Sequence, residues 1–223
     1  MGPALPHTPS DLSTPVLVAL EALRAAAAPP LTDPDAPVRL ADLPAVWRAH
    51  LLDPPQSYHP LLPPGRMEVE RADWEELLAR VARELEHAFR MAGRLALAER
   101  GPTPEDLAQA PVLSPWAPAL GRSGEFVLTG HVAGHPCLGE AWIRTSVLAG
   151  LDPQGRWARS WSRWYRLGEP MGEALWLDYG LARLPVRLIE TDEALAARHF
   201  ASLRQIVARV LEPLGAPVGG GRR

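Results

Sequence analysis

The sequence predicts an α+β protein: a small antiparallel sheet or partly open barrel, flanked by helices from the N-terminal half and from the C-terminus. Three observations predict it. Between residues 73 and 100 apolar residues recur at three- and four-residue intervals, as on a helix with one buried stripe. From about residue 112 to 190 that period gives way to short runs of strand composition, broken by glycine and proline turns. A second helical stripe then runs to about residue 211.

The elements follow in order. Residues 1–66 form a proline-rich helical arm holding 14 of the 25 prolines. In it, Val16 to Ala28 is an Ala-rich helix with Thr14 as cap and Pro15 in its first turn, stopped by Pro29-Pro30. A second short helix runs from about Leu43 to Leu52, with Asp42 as cap. The chain then extends to Pro64 as a wrapping arm in which Tyr58, His59, Leu61 and Leu62 lie along another surface. Residues 67–111 hold the long helix and a short helical turn. Asp73 caps the former, ahead of Glu76, and Trp74, Leu77, Leu78, Val81, Leu85, Phe89, Ala92 and Leu95 form its stripe. Glu76–Arg80 and Glu86–Arg90 stand four residues apart in the supportive order for ion pairs, on a face that is either solvated or paired with a second copy. Gly101-Pro102 ends the helix, and Thr103 caps the turn that follows.

Residues 112–190 form the β region. Phe126-Val127-Leu128 and Trp142 to Leu148 read as strands, and Asp152-Pro153-Gln154-Gly155 joins the second of these to the run from Trp157 to Leu167 as a hairpin. Leu175–Leu181 and Val186–Ile189 are further strand candidates. Residues 191–213 are the C-terminal helix, with Thr191 as cap and Leu195, Phe200, Leu203, Ile206, Val207, Val210 and Leu211 on one side. Residues 214–223 read as a flexible tail.

Composition narrows the chemistry. The 223 residues are 47% hydrophobic and 22% charged, the balance of a soluble globular chain. No apolar run is long enough to span a membrane, and the first ten residues lack the basic-then-apolar order of a secretory signal. The single cysteine, Cys137, excludes an internal disulfide framework and points to a reducing compartment, the cytoplasm. The chain contains no Lys and no Asn, so it carries neither a P-loop lysine nor an N-glycosylation acceptor. With 25 prolines and many alanines, that deficit points to a GC-rich bacterial genome. The net charge of −3 divides into −2 over residues 1–66, −4 over 67–116 and +3 over 117–223.

Between Gly101 and Pro170 the elements GPTPEDLAQAPVL with Trp116, then GHVAGHPCL, IRTSVL and WARSWSRWYRLGEP follow one another. In that order they resemble an uncharacterised domain-of-unknown-function family of alphaproteobacteria, with a Gly-His-Pro turn, a Thr-Ser strand and a Tyr-Arg-Leu-Gly end. The resemblance implies a small domain of unknown function and supplies no catalytic residue.

Three sets of residues carry possible chemistry. Trp157, Arg159, Trp161, Arg163, Trp164, Tyr165 and Arg166 lie in a segment with four Arg and no acid from Arg156 to Arg166. As one strand, Trp157, Arg159, Trp161, Arg163 and Tyr165 would share a face. Rings interleaved with guanidinium groups can stack on bases and neutralise phosphates. The same segment also fits a helix, and the same rings can simply fill a core face covered by Arg stems. His131, His135 and Cys137 offer nitrogen and sulfur ligands to Zn²⁺, with a fourth ligand from Glu140, His199 or water. The competing reading makes His135 a turn histidine that bonds the backbone. Ser146, Ser160, Ser162 and Cys137 are candidate nucleophiles with His131 or His135 as base, but no GxSxG elbow is present. No glycine-rich nucleotide fingerprint follows a strand.

These observations favour a non-enzymatic accessory or regulatory protein that binds a protein partner or a second copy of itself. Five of the eight Trp fall between Trp142 and Trp176, and Trp is a favoured interface anchor. Single-stranded nucleic-acid binding through residues 156–166 is the second reading. A zinc site or zinc-assisted hydrolase at His131, His135 and Cys137 is the third.

Overall fold

The computed structural model describes residues 13–28, 33–52, 61–62, 65–172, 175, 187–189 and 193–215. The chain divides into two units, Met1–Ala92 with Gln205–Arg223, and Gly93–Arg204.

In the first unit, α1 (Thr14–Ala26) carries Pro15 in its first turn, where a missing N–H costs nothing. Ser13, rather than Thr14, is the N-cap residue, because the backbone is extended there; its N–H is held by Glu86 at 2.8 Å. Val16, Ala19, Leu20 and Leu23 recur at helical spacing and are buried. Strand β1 (Val38–Arg39) pairs antiparallel with β2 (Glu68–Val69). The 3₁₀ turn Leu40–Asp42 follows β1, so Asp42 closes that turn instead of capping the next helix. Helix α2 (Ala45–Leu52) starts after Pro44, whose carbonyl accepts from the N–H groups of Trp47 and Arg48. Leu61 and Leu62 of the proline-rich arm are buried; Tyr58 and His59 lie outside the described residues.

Helix α3 (Arg71–Arg100) begins two residues before the expected start. The Glu70 carbonyl accepts from the Asp73 N–H, which makes Asp73 a first-turn residue that complements the helix dipole rather than the cap. Its stripe is buried from Trp74 through Leu85 and again at Leu95, but Ala88 and Met91 take the inward positions between, and Phe89 and Ala92 are only half-buried. Glu86 bonds Arg90 at 2.7 Å, the i,i+4 pair expected.

In the second unit, α4 (Pro104–Gln109) starts with a full capping box, in which the Thr103 hydroxyl accepts from the Asp106 N–H and the Asp106 carboxylate accepts from the Thr103 N–H. Among the described residues, seven strands then form one sheet: β3 (Val112–Leu120), β4 (Phe126–His135), β5 (Gly139–Arg144), β6 (Leu148–Leu151), β7 (Trp157–Ser160), β8 (Trp164–Leu167) and β9 (Arg187–Leu188). The order is β5-β4-β3-β8-β7-β6, with β9 beside the C-terminal half of β3. The sheet is mixed rather than purely antiparallel: β3 and β8 run parallel, Val112 opposite Arg166 and Leu113 opposite Leu167.

The expected strand from Trp142 to Leu148 is two strands. Thr145 N–H donates to the Leu128 carbonyl at 2.8 Å and its hydroxyl accepts from Leu128 N–H at 2.9 Å, while Trp161 N–H donates to the Val147 carbonyl. The link from β5 to β6 is thus held by β4 on one side and the β7–β8 turn on the other, which brings the ends of the sheet together as a partly open barrel. Leu113, Trp116, Phe126, Leu128, Val132, Ile143, Leu148, Ala158 and Tyr165 fill its core. Phe200 of α5 (Glu193–Leu211) completes it, with Leu203 and Ala196 packed alongside. Leu175 is helical rather than extended; residues 176–181 and Thr191 lie outside the described residues. No helix among the described residues is long and apolar enough to cross a membrane.

Candidate functional site

The segment from Trp157 to Arg166 is neither one strand nor a helix. It is the β7–β8 hairpin, closed by the turn Trp161-Ser162-Arg163. Its register sets Trp157 opposite Arg166, Ala158 opposite Tyr165 and Arg159 opposite Trp164. Because cross-strand partners share a face, Trp157, Arg159, Trp164 and Arg166 lie on one side, and Ala158 and Tyr165 point into the core on the other. A single five-residue face does not form, because the turn interrupts the alternation at Trp161.

The outer-face rings are used within the protein. Trp157 and Trp164 meet edge-to-face at 5.3 Å between centroids, and the Arg159 guanidinium lies 5.3 Å over the Trp164 ring. Trp164 is only 8% exposed. Arg166 Nε donates to the Ala110 carbonyl. Burial, and then the neighbouring Arg94 charge, pull the Arg159 pKa down, with Asp106 acting the other way. An open groove beside this face is lined by Pro102, Leu107, Leu151, Pro153, Arg156 and Trp157.

At the hairpin turn the serines converge. The hydroxyls of Ser160 and Ser162 are 3.1 Å apart, and those of Ser162 and Ser146 3.3 Å apart. Ser160 is fully buried and accepts from the N–H groups of Ser162 and Arg163, which fixes the turn; Ser146 and Ser162 are exposed. Tyr165 lies below them. Burial pushes its phenol up, while the Arg163 charge and the Ser162 hydroxyl act the other way. The Arg163 Nε is buried without a hydrogen-bond partner, and among the described residues no carboxylate pairs with its guanidinium.

His135 stands at the end of β4. Its Nδ1 accepts from the N–H groups of Cys137 at 3.2 Å and Leu138 at 3.1 Å, the backbone-bonding turn histidine. Burial and then the Arg163 charge hold its pKa below the usual imidazole value. His131 packs edge-to-face against Trp142 at 6.0 Å. Cys137 is exposed, and among the described residues no three His, Cys, Asp or Glu side chains are placed to hold a metal ion, so His131, His135 and Cys137 do not converge. Three of the four candidate nucleophiles do: Ser146, Ser160 and Ser162.

The register sets what else lies at this end of the sheet. Val112 faces Ala133 on one side and Arg166 on the other, so the end of β4 and the start of β8 leave the sheet at the same end. The Gly-His-Pro turn and the Ser-Arg-Trp-Tyr-Arg element thus lie at one end of the sheet, whereas the Thr-Ser element follows the other end of β5, where Arg144 pairs Thr129, and meets the hairpin turn through Ser146 and Ser162. The sequence reading missed the contact of Ser146 with Ser162 and the repulsion between the charges of Arg94 and Arg159. Neither has a signal in the sequence, because each depends on tertiary hydrogen bonds and on how the sheet curls.

Residues 84–181 match the family of unknown function DUF6634. The DUF6634 segment contains all three of these elements and extends the resemblance seen in residues 101–170 on both sides. No curated protein and no solved structure matches the chain.

Proposed function

We propose that this is a non-enzymatic accessory or regulatory protein of the cytoplasm, which holds a protein partner against the sheet end formed by the β4–β5 and β7–β8 turns. The observation that carries the reading is the meeting of the Thr-Ser element with the hairpin turn, Ser146 against Ser162, beside the sheet end where the Gly-His-Pro turn also lies. Two further features support it. Leu138, in the β4–β5 turn, is an exposed large apolar residue, and Trp161, at the hairpin tip, is half-buried; such residues are suited to anchor a protein interface. A protein is favoured over stacked bases because Trp157, Trp164 and Tyr165 already spend their faces and edges on internal packing.

Native mass spectrometry of the protein isolated gently from its source tests this. The expected species is heavier than 24.3 kDa by a protein subunit, and the doubly substituted Leu138→Ser, Trp161→Ser protein loses that increment. A nuclease-sensitive increment would instead favour single-stranded nucleic acid, and a stoichiometric zinc mass the metal reading. A bare 24.3 kDa species sinks the proposal.

A further inference from the structure

We infer that Ser146, Ser162 and Arg163 form an oxyanion site that takes a carboxylate or phosphate group, an inference that rests on the reading of this sheet end as the binding face. The argument is one of donors and acceptors. Ser146 and Ser162 are exposed and come from separate segments, and their hydroxyls lie 3.3 Å apart, so one donates to the other and the pair has one O–H left to turn towards a ligand. Ser160 anchors the turn through two N–H groups, so the Ser162 hydroxyl is held in place before any ligand arrives. The Arg163 guanidinium has no carboxylate among the described residues, and a buried N–H without an acceptor is a group that structures rarely leave so.

His135 adds to the same polarity. With Nδ1 accepting from two backbone N–H groups, the neutral ring carries its proton on Nε2 and presents a donor there. The Arg163 charge acts on both His135 and Tyr165, and no acidic side chain is set against it at either. Hydroxyl and guanidinium donors without a carboxylate are the wrong set for a cation and the right set for an oxyanion, which an Arg side chain binds through paired N–H groups.

The test is a titration of the ¹⁵N-labelled full chain with inorganic phosphate, and separately with acetate, followed by NMR. The inference predicts saturable shifts of the Ser146, Ser162 and Arg163 amides and of the Arg163 Nε–H. Arg163→Gln should weaken them by about tenfold or more while the rest of the spectrum stays in place. Ser162→Ala, a smaller change, should weaken them less. Saturation with both probes assigns either oxyanion, and saturation with phosphate alone assigns the phosphate class. Shifts that stay linear in anion concentration, that survive Arg163→Gln, or that centre on Arg94 and Arg159 overturn the inference. The Leu138→Ser, Trp161→Ser protein keeps the anion response while losing the partner, so failure of the site and failure of the partner reading are told apart.

Discussion

A histidine without hydrogen bonds carries the clearest residue-scale consequence. His50 of α2 is 5% exposed, packs edge-to-face on Trp47, and has no partner at either ring nitrogen. Burial lowers its pKa from 6.5 to about 4. The neutral ring is therefore native, and the unfolded chain binds the extra proton between those values. Its contribution is complete above pH 6.5, is lost as the pH falls towards 4, and amounts at most to about 3 kcal/mol. His199, also lowered by burial, acts with the same sign, so the comparison is with His50→Leu. Denaturant unfolding should show the wild type losing stability more steeply than His50→Leu from pH 6.5 to 4, with His50→Leu no less stable at pH 7, since it removes two orphaned polar atoms. Parallel pH profiles for the two proteins would contradict this. Nothing in the sequence marks His50: its spacing puts it on a helix, but an apolar surrounding is a property of the packed unit.

At the scale of elements, periodicity was informative wherever one element stayed unbroken. The stripe of α3 and the Thr103 cap of α4 were readable because each depends on residues within about four positions of one another. The β region was legible in its turn at residues 152–155, yet parity failed at Thr145 and at Trp161, where tertiary hydrogen bonds break the strands. Three substitutions probe these elements. Thr103→Ala removes the hydroxyl that accepts from Asp106 N–H and should cost about 1 kcal/mol in denaturant unfolding. A Cβ at Gly130 of β4 would run into the Pro115 carbonyl oxygen of β3, a backbone atom that cannot yield cheaply. At Gly150 of β6 it would sit 2.7 Å from the Ala98 Cβ. Gly130→Ala should therefore lie at the upper end of overpacking costs, about 3 kcal/mol, and Gly150→Ala below it. Equal, negligible effects would show that the sheet and the end of α3 adjust more freely than this packing allows.

Across the whole molecule, the family match and the folded unit do not coincide. The matched segment starts inside α3 and stops at residue 181, whereas the barrel core is completed by Phe200 of α5. Phe200 touches Phe126 at 6.1 Å and is 8% exposed, so Phe200→Ala should cost about 3 kcal/mol and raise hydrogen exchange in β4. Unchanged exchange there would mean that the sheet stands without its helix. The fold class was legible because composition changes along the chain; the site was not, because Ser146 and Ser162 meet only when the sheet curls. The central claim concerns that meeting point, and site-specific photocrosslinking tests it most directly. A photoreactive phenylalanine analogue placed at Trp161, in the protein expressed in its own source, should yield one dominant protein adduct. The same probe at Gln154, in the turn at the opposite end of β7, should yield little. Adducts equal at the two positions, or adducts at Trp161 that are entirely nucleic acid, would contradict the account.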